Sequence, residues 1–137
     1  MEYIIIANPH SGAGMGMKQF NLLIQYFNDH SIAFSSHLTH YAGEVYQIIK
    51  KILPSLNANH RIIIIGGDGT LNEAIATFIK FQKSIPISYL PAGTGNDFSR
   101  EMNFTHDIPT FIERLNNEMI STLELISYNE RLSHTYG

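Results

Sequence analysis

The 137-residue sequence contains no cysteine, which excludes disulfide scaffolds, zinc–thiolate sites and thiol catalysis. Charged residues are scarce, at 15% against roughly 25% in an ordinary soluble domain. Nine Lys and Arg against twelve Asp and Glu give a formal net charge of −3, so we expect no binding to nucleic acid by charge alone. Such a low charge content predicts that part of the surface covers a partner or a further domain, and that the chain by itself forms homo-oligomers or is poorly soluble.

Long apolar runs are also missing. The longest aliphatic runs, such as Ile62–Ile65, are far shorter than the ~20 residues that a membrane-spanning helix needs. The N-terminus lacks the charged start and apolar stretch of a signal peptide, so we expect a cytoplasmic protein. Hydrophobic residues nevertheless make up 44% of the chain, enough for the core of one domain, which excludes a disordered chain.

Short apolar runs alternate with helical stripes along the sequence. Strands are predicted at residues 3–7, 32–38, 61–65 and 86–90, and a last one at 123–126. Apolar residues at helical spacing indicate helices around residues 20–27, 45–53 and 71–79, and one beginning after Asp107 as its cap. This alternation predicts an α/β fold with a mainly parallel sheet and helices on both faces, a three-layer αβα sandwich.

Three glycine-bearing loops follow predicted strands: residues 8–16 (NPHSGAGMG), 66–73 (GGDGTLNE) and 91–98 (PAGTGNDF). In open α/β sheets, ligands bind beyond the carboxyl ends of the strands, where these loops would lie. The first loop matches neither GxxxxGK[ST] nor GxGxxG, which disfavours a Walker ATPase and a simple dinucleotide fingerprint. Ser11 and the backbone of Gly12–Gly16 can still cradle a phosphate, although a plain flexible loop fits equally well.

The second loop gives the clearest chemical signal. Glycines allow positive φ and close approach of backbone N–H groups, and a helix starting at about Leu71 adds its positive end, so the loop predicts a phosphate site. Thr70 can donate a hydroxyl hydrogen bond. The Asp68 carboxylate would repel phosphate, so it makes sense if it binds a metal ion indirectly or accepts a hydrogen bond from a hydroxyl. The alternative is a tight strand-to-helix turn with Asp as a cap.

The third loop offers Thr94, Asn96 and Asp97, which can hydrogen-bond a substrate hydroxyl or phosphate, or simply form a turn and cap a helix. The seven histidines form no recognisable metal motif and are interpreted as surface residues. His10 is the exception to watch, because it lies in the first loop.

Together, NPHSG, GGDGTLNE and PAGTGNDF closely resemble the diacylglycerol kinase catalytic domain family, over residues 1–126. The resemblance implies a fold like that of phosphofructokinases and NAD kinases, and Mg²⁺-dependent transfer of the ATP γ-phosphate to a lipid hydroxyl. It places Asp68 and Asp97 in the magnesium–water network near the transferred phosphate, and assigns no direct metal ligand. Carried over by motif, the nucleotide-contacting residues would be Asn8, Pro9, His10, Ser11, Gly12, Thr39, Gly66, Gly67, Asp68, Gly69, Thr70, Leu71, Asn72, Glu73, Gly93, Thr94 and Asn96.

Members of this family are longer and carry a second, β-rich domain that supplies magnesium ligands and the general base. We therefore expect residues 1–122 to be the nucleotide-binding domain and residues 123–137 to be either the beginning of a truncated β-rich domain or a tail. Such a fragment would bind ATP but turn over little, and the whole enzyme would act on a lipid such as diacylglycerol in phospholipid metabolism, with peripheral membrane contact. The alternatives are an NAD kinase-like enzyme, or a non-catalytic nucleotide-binding or interaction module if the chain naturally ends at Gly137.

Overall fold

The computed structural model describes residues 1–92 and 103–117. Its sheet has four strands in the order β2-β1-β3-β4, and every neighbouring pair is parallel. The strands are β1 (Glu2–Ala7), β2 (Phe34–Leu38), β3 (His60–Gly66) and β4 (Ile87–Pro91). Because all four run in the same direction, their carboxyl ends and the loops that follow them lie along one edge of the sheet.

In the part of the chain that the structure describes, four helices cover the two faces of this sheet. They are α1 (Met15–Asp29), α2 (Glu44–Ile52), α3 (Asp68–Lys80) and α4 (Ile108–Asn117), and a short 3₁₀ turn, Leu53–Ser55, follows α2. Side chains of α1 and α4 pack on one face, and those of α2 and α3 pack on the other. The predicted three-layer αβα fold with a parallel sheet is therefore confirmed.

The isoleucine runs of the two central strands explain this layering. Successive side chains of a strand point to opposite faces, so Ile62 and Ile64 pack toward α2 and α3, whereas Ile63 and Ile65 pack toward α1 and α4. All four are fully buried. An uninterrupted apolar strand of this kind needs cover on both faces, as parallel sheets have.

The predicted cap of the last described helix is also confirmed. The Asp107 Oδ2 atom accepts the Thr110 backbone N–H at 3.1 Å and the Thr110 hydroxyl at 2.6 Å, immediately before α4. Within residues 1–92 and 103–117, no helix has both the length and the hydropathy needed to cross a bilayer. The strand predicted at 123–126 and the boundary predicted at residue 122 lie outside the described residues.

Candidate functional site

A pocket of about 550 Å³ opens at the carboxyl edge of the sheet, beyond the ends of β1, β2 and β3. This volume lies within the range of small-molecule sites in proteins. The pocket is bounded by the turn after β1, by the segment that joins β2 to α2, and by the first turns of α3. Its lining residues are Asn8, His10, Ser11, Thr39, His40, Tyr41, Ala42, Val45, Gly67, Gly69, Thr70 and Glu73.

Helix α3 begins directly at this pocket, three residues earlier than predicted. The sequence predicts a start near Leu71, but the helix runs from Asp68, and extended Gly67 is its N-cap. The Leu71 N–H is the first to bond back, to the Gly67 carbonyl at 3.2 Å. The N–H groups of Asp68, Gly69 and Thr70 therefore precede the first helical donor, and they form the positive end of the α3 dipole.

The glycines of the second loop have a different role from the predicted one. Among the described glycines, positive φ occurs at Gly12, Gly14 and Gly43, so the glycines of the second loop do not use the positive φ that glycine allows. What matters there is the missing Cβ. A Cβ on Gly66 would lie 2.8 Å from the Thr70 hydroxyl oxygen, whereas a Cβ on Gly67 or Gly69 would enter open space at the pocket. The absent side chains thus leave room for Thr70 on one side and for a ligand on the other.

Asp68 does not cap its own helix and does not line the pocket. Helix α3 has no side-chain cap hydrogen bond, which removes the capping interpretation of this residue. Its Oδ1 atom lies 3.3 Å from the hydroxyl of Tyr89 on β4, and the same hydroxyl lies 3.0 Å from the Gly66 carbonyl oxygen. The carboxylate is therefore held on the β4 side of the helix start, as an acceptor from a hydroxyl.

The turn after β1 supplies the second wall of the pocket. The Asn8 side-chain oxygen accepts the His10 N–H at 3.1 Å, and the Asn8 backbone carbonyl accepts the Ser11 N–H at 3.2 Å. Gly16 is buried in the first turn of α1, and its N–H bonds to the Ser11 carbonyl at 3.0 Å. The prediction that the backbone up to Gly16 cradles a ligand is therefore wrong at Gly16, which serves packing.

The third wall follows β2 and contains residues that the sequence motifs did not single out. Thr39, which the family resemblance gives as a nucleotide contact, is buried just after the strand end and lines the pocket, and its N–H bonds to the Ala7 carbonyl at 2.9 Å. Beyond it, Tyr41 is 61% exposed and lines the pocket with an unusually accessible ring. The His40 N–H and its Nδ1 atom lie 2.5 and 3.1 Å from Glu44 Oε1, which fixes this segment to the start of α2.

Glu73 connects this wall to α3. Its Oε1 atom accepts the Tyr46 backbone N–H at 3.3 Å, a donor in the first turn of α2. The pocket consequently has two unlike ends. At the α3 end the ligand meets unpaired N–H groups and the Thr70 hydroxyl, which suit an anion. At the α2 end it meets the carboxylate of Glu73, which suits hydroxyl or amino donors.

The sequence of this chain matches the family model of the diacylglycerol kinase catalytic domain over residues 2–128. The chain belongs to that family. A Bacillus subtilis diacylglycerol kinase is 31% identical over 103 residues, which are 75% of this chain and 33% of the relative. A Staphylococcus epidermidis protein, provisionally named as a lipid kinase, is 26% identical over 134 residues, which are 94% of this chain and 40% of the relative.

A solved diacylglycerol kinase from Bacillus anthracis has the same fold, with a TM-score of 0.70 at 21% sequence identity. The match covers 86% of this chain and 42% of that structure. This diacylglycerol kinase family domain therefore spans less than half the length of the relatives it matches.

The motif residues of this family divide into three groups in the structure. Most of those in the first two loops line the pocket, together with Thr39. Others do not: Leu71 is fully buried in the core, Asn72 is exposed on α3, and the pocket wall does not include Pro9, Gly12, Gly66 or Asp68. Four predicted residues lie outside the described part of the chain, namely Gly93, Thr94, Asn96 and Asp97.

The described residues contain no preformed metal cage. Across 1–92 and 103–117, no three His, Asp or Glu side chains come together as a metal-binding group. Mg²⁺ in nucleotide sites is usually held by one or two carboxylates together with substrate phosphates, so a cage is not required. Of the two carboxylates in the first turns of α3, Glu73 lines the pocket and accepts the Tyr46 N–H, whereas Asp68 lies outside the pocket lining against the Tyr89 hydroxyl, so Asp68 could reach an ion in the pocket only through water.

Proposed function

We propose that this chain is the nucleotide-binding part of an ATP-dependent lipid kinase, whose acceptor is the hydroxyl of a lipid such as diacylglycerol. The observation that carries the proposal is the start of α3, where three N–H groups precede the first helical bond beside a pocket of about 550 Å³. Membership of the diacylglycerol kinase catalytic domain family supports both the donor and the acceptor class.

The phosphates of ATP would occupy the α3 end of the pocket. The positive helix end and the unpaired N–H groups attract an anion without a lysine, and Gly67 and Gly69 present no Cβ there. The Thr70 hydroxyl adds a donor. On the opposite side, Asn8, His10 and Ser11 line the same pocket.

The nucleoside would lie toward α2. A phosphate placed beside Glu73 would be repelled, whereas ribose hydroxyls or a base amino group can donate to that carboxylate. The exposed ring of Tyr41 lies in the same wall and can stack on the base, and buried Val45 provides an apolar contact below it. This orientation follows from the unlike polarity of the two ends of the pocket.

Catalysis in this proposal consists mainly of positioning and charge neutralisation, as phosphoryl transfer generally requires. Asp68, with Asp97 by family resemblance, would hold Mg²⁺ through water. When bound, the ion neutralises charge on the phosphates. The N–H groups at the start of α3 would hold the phosphate chain while the lipid hydroxyl attacks the γ-phosphorus in line. The bond from the γ-phosphorus to the β,γ-bridging oxygen would break, ADP would leave, and the hydroxyl proton would pass to the general base that the family resemblance places in the second domain.

Calorimetric titration with ATP and Mg²⁺ tests the nucleotide site directly. Gly69→Ala places a methyl group in the open space of the pocket, and we expect it to weaken ATP binding about tenfold while the fold is retained. Ala76→Val adds bulk to an exposed position of the same helix and should leave the affinity unchanged. Absence of ATP binding at millimolar concentration, or equal effects of both substitutions, would contradict the proposed site.

The acceptor class needs a transfer assay. With labelled ATP we expect little or no transfer from this chain alone, because it spans only about 40% of the length of a relative. Any transfer should go to diacylglycerol dispersed in mixed micelles and not to NAD offered at the same concentration. Labelling of NAD in place of the lipid would overturn the lipid kinase assignment and favour the NAD kinase-like alternative.

A further inference from the structure

Tyr89 places a polar atom deep in the core, directly beneath the start of α3. Its side chain is 1% exposed, and its ring packs edge-on against Phe104 with centroids 5.5 Å apart. The hydroxyl lies 3.0 Å from the Gly66 carbonyl oxygen and 3.3 Å from Asp68 Oδ1. A buried hydroxyl that reaches both the end of β3 and the first residue of α3 joins the strand to the helix at the candidate site.

The position of Asp68 makes this contact informative. As the first residue of α3 it carries a negative charge beside the N–H groups that are proposed to bind phosphate. A carboxylate free to turn toward those groups would compete with a bound anion for them and would repel it. In the structure it instead lies against the Tyr89 hydroxyl, on the β4 side, and is not among the residues that line the pocket.

We propose that Tyr89 is a positioning residue that holds the Asp68 carboxylate on the β4 side of α3 and so leaves the first-turn N–H groups free for a phosphate-bearing ligand. The inference rests on the proposed function for the identity of the anion. Its geometric part, the hydrogen bond between the two side chains, stands independently of any ligand. Tyr89 acts through Asp68 and makes no contact with the ligand itself.

The geometric part is tested without nucleotide by proton NMR of the whole chain. The single proton of the Tyr89 hydroxyl is shared between the Gly66 carbonyl at 3.0 Å and the Asp68 carboxylate at 3.3 Å. Such a buried proton exchanges slowly with water, so we expect a resolved Tyr89 hydroxyl resonance in the wild type, absent in Tyr89→Phe. Asp68→Ala should move this resonance, because the carboxylate acceptor is lost. A wild type without a protected Tyr89 hydroxyl, or a resonance that Asp68→Ala leaves in place, would refute the inference.

The functional part is tested by titrating ADP in the presence of EDTA, which removes any contribution from a metal ion. Tyr89→Phe keeps the buried ring, so the fold should persist, which circular dichroism checks. We expect the ADP affinity to fall ~fivefold, the size of an added like charge near the anion in water. In the Asp68→Ala background the same substitution should cost nothing, because no carboxylate is left to turn. Tyr26→Phe, near the far end of α1, is the matched control and should not change the affinity.

The outcomes separate this inference from the proposed function. An equal loss of affinity in both backgrounds would show that Tyr89 does not act through Asp68, and would overturn the inference while leaving the nucleotide site intact. A wild type that binds no ADP would overturn the proposed function, and the hydroxyl resonance would then decide the geometric part alone.

Discussion

Gly16→Ala should destabilise the chain, although alanine favours helices over glycine. Gly16 is the second residue of α1, and a Cβ built on it would lie 2.0 Å from the Asn8 carbonyl oxygen. Ordinary contact begins near 3.4 Å, so the helix and the turn would have to separate by more than an ångström. The backbone fixes the position of the Cβ, and the Asn8 oxygen is itself a backbone atom, so no rotamer change can relieve the overlap.

The magnitude follows from two opposing terms. Overpacking in a well-packed region costs about 1–3 kcal/mol, and replacing a helical glycine by alanine gains up to about 1 kcal/mol. The Gly16 N–H bond to the Ser11 carbonyl and the Met17 N–H bond to the Pro9 carbonyl tie the same turn to α1, so the strain cannot be confined to one atom pair. We therefore expect a net loss of about 1–2 kcal/mol in the free energy of unfolding.

Gly69→Ala is the matched control, because Gly69 is also the second residue of its helix and a Cβ there meets nothing within 4 Å. Urea unfolding followed by circular dichroism should show Gly16→Ala less stable than the wild type and Gly69→Ala equal to it or slightly more stable. The two substitutions should also affect ATP binding by different routes. Gly16→Ala acts by displacing the Asn8–Ser11 turn, whereas Gly69→Ala obstructs the pocket directly. Equal stability of the two variants would refute the packing argument.

Two further predictions concern stability. Gln19→Met should lower the free energy of unfolding by about 2 kcal/mol, because methionine keeps the length of the side chain but lacks the donor. The buried Gln19 amide donates to the His106 carbonyl at 2.6 Å and to the Pro91 carbonyl at 3.4 Å. An unchanged midpoint in urea unfolding would contradict this prediction. Burial, and secondly the Lys51 charge, lower the pKa of His37, so the folded chain binds the proton less readily than the unfolded chain. Stability should be complete above the ordinary histidine pKa of about 6.5 and fall as the pH drops below it, and His37→Gln should remove that part of the pH dependence.

The element order of the fold could be predicted because the sequence is locally consistent. The all-isoleucine run of β3 has no helical period, and the stripes of α1, α2 and α3 have no strand period, so each segment favours one structure. The boundaries at the site were less predictable. A GGDGT segment is expected to be a loop, since glycine disfavours helices, but only Gly66 and Gly67 stay outside α3.

The candidate site was predictable only where motifs mark it. The anion-binding end follows from glycines and a helix start, which local sequence reveals. The opposite end depends on Tyr41, Val45 and their neighbours after β2, and this segment carries no glycine motif until Gly43. This segment belongs to the site only because β2 pairs with β1, and such a contact between residues distant in sequence cannot be deduced from local sequence. The Tyr89 hydroxyl was missed because a tyrosine in an apolar strand indicates core packing, and only the register of β4 against β3 brings it to Asp68.

The strand order explains why these separate segments form one pocket. Since β1 lies between β2 and β3, the turn after β1 is flanked by the segment after β2 on one side and by the start of α3 on the other. Helices α2 and α3 pack together on the same face, so Glu73 of α3 reaches the first-turn N–H of Tyr46 in α2. That bond occupies a donor at the start of α2, while the first-turn donors of α3 stay open. The two helix starts at this edge are therefore not equivalent: a first-turn N–H of α2 already bonds a carboxylate, whereas the Asp68 carboxylate at the start of α3 lies against Tyr89 and leaves the N–H groups there for an anion.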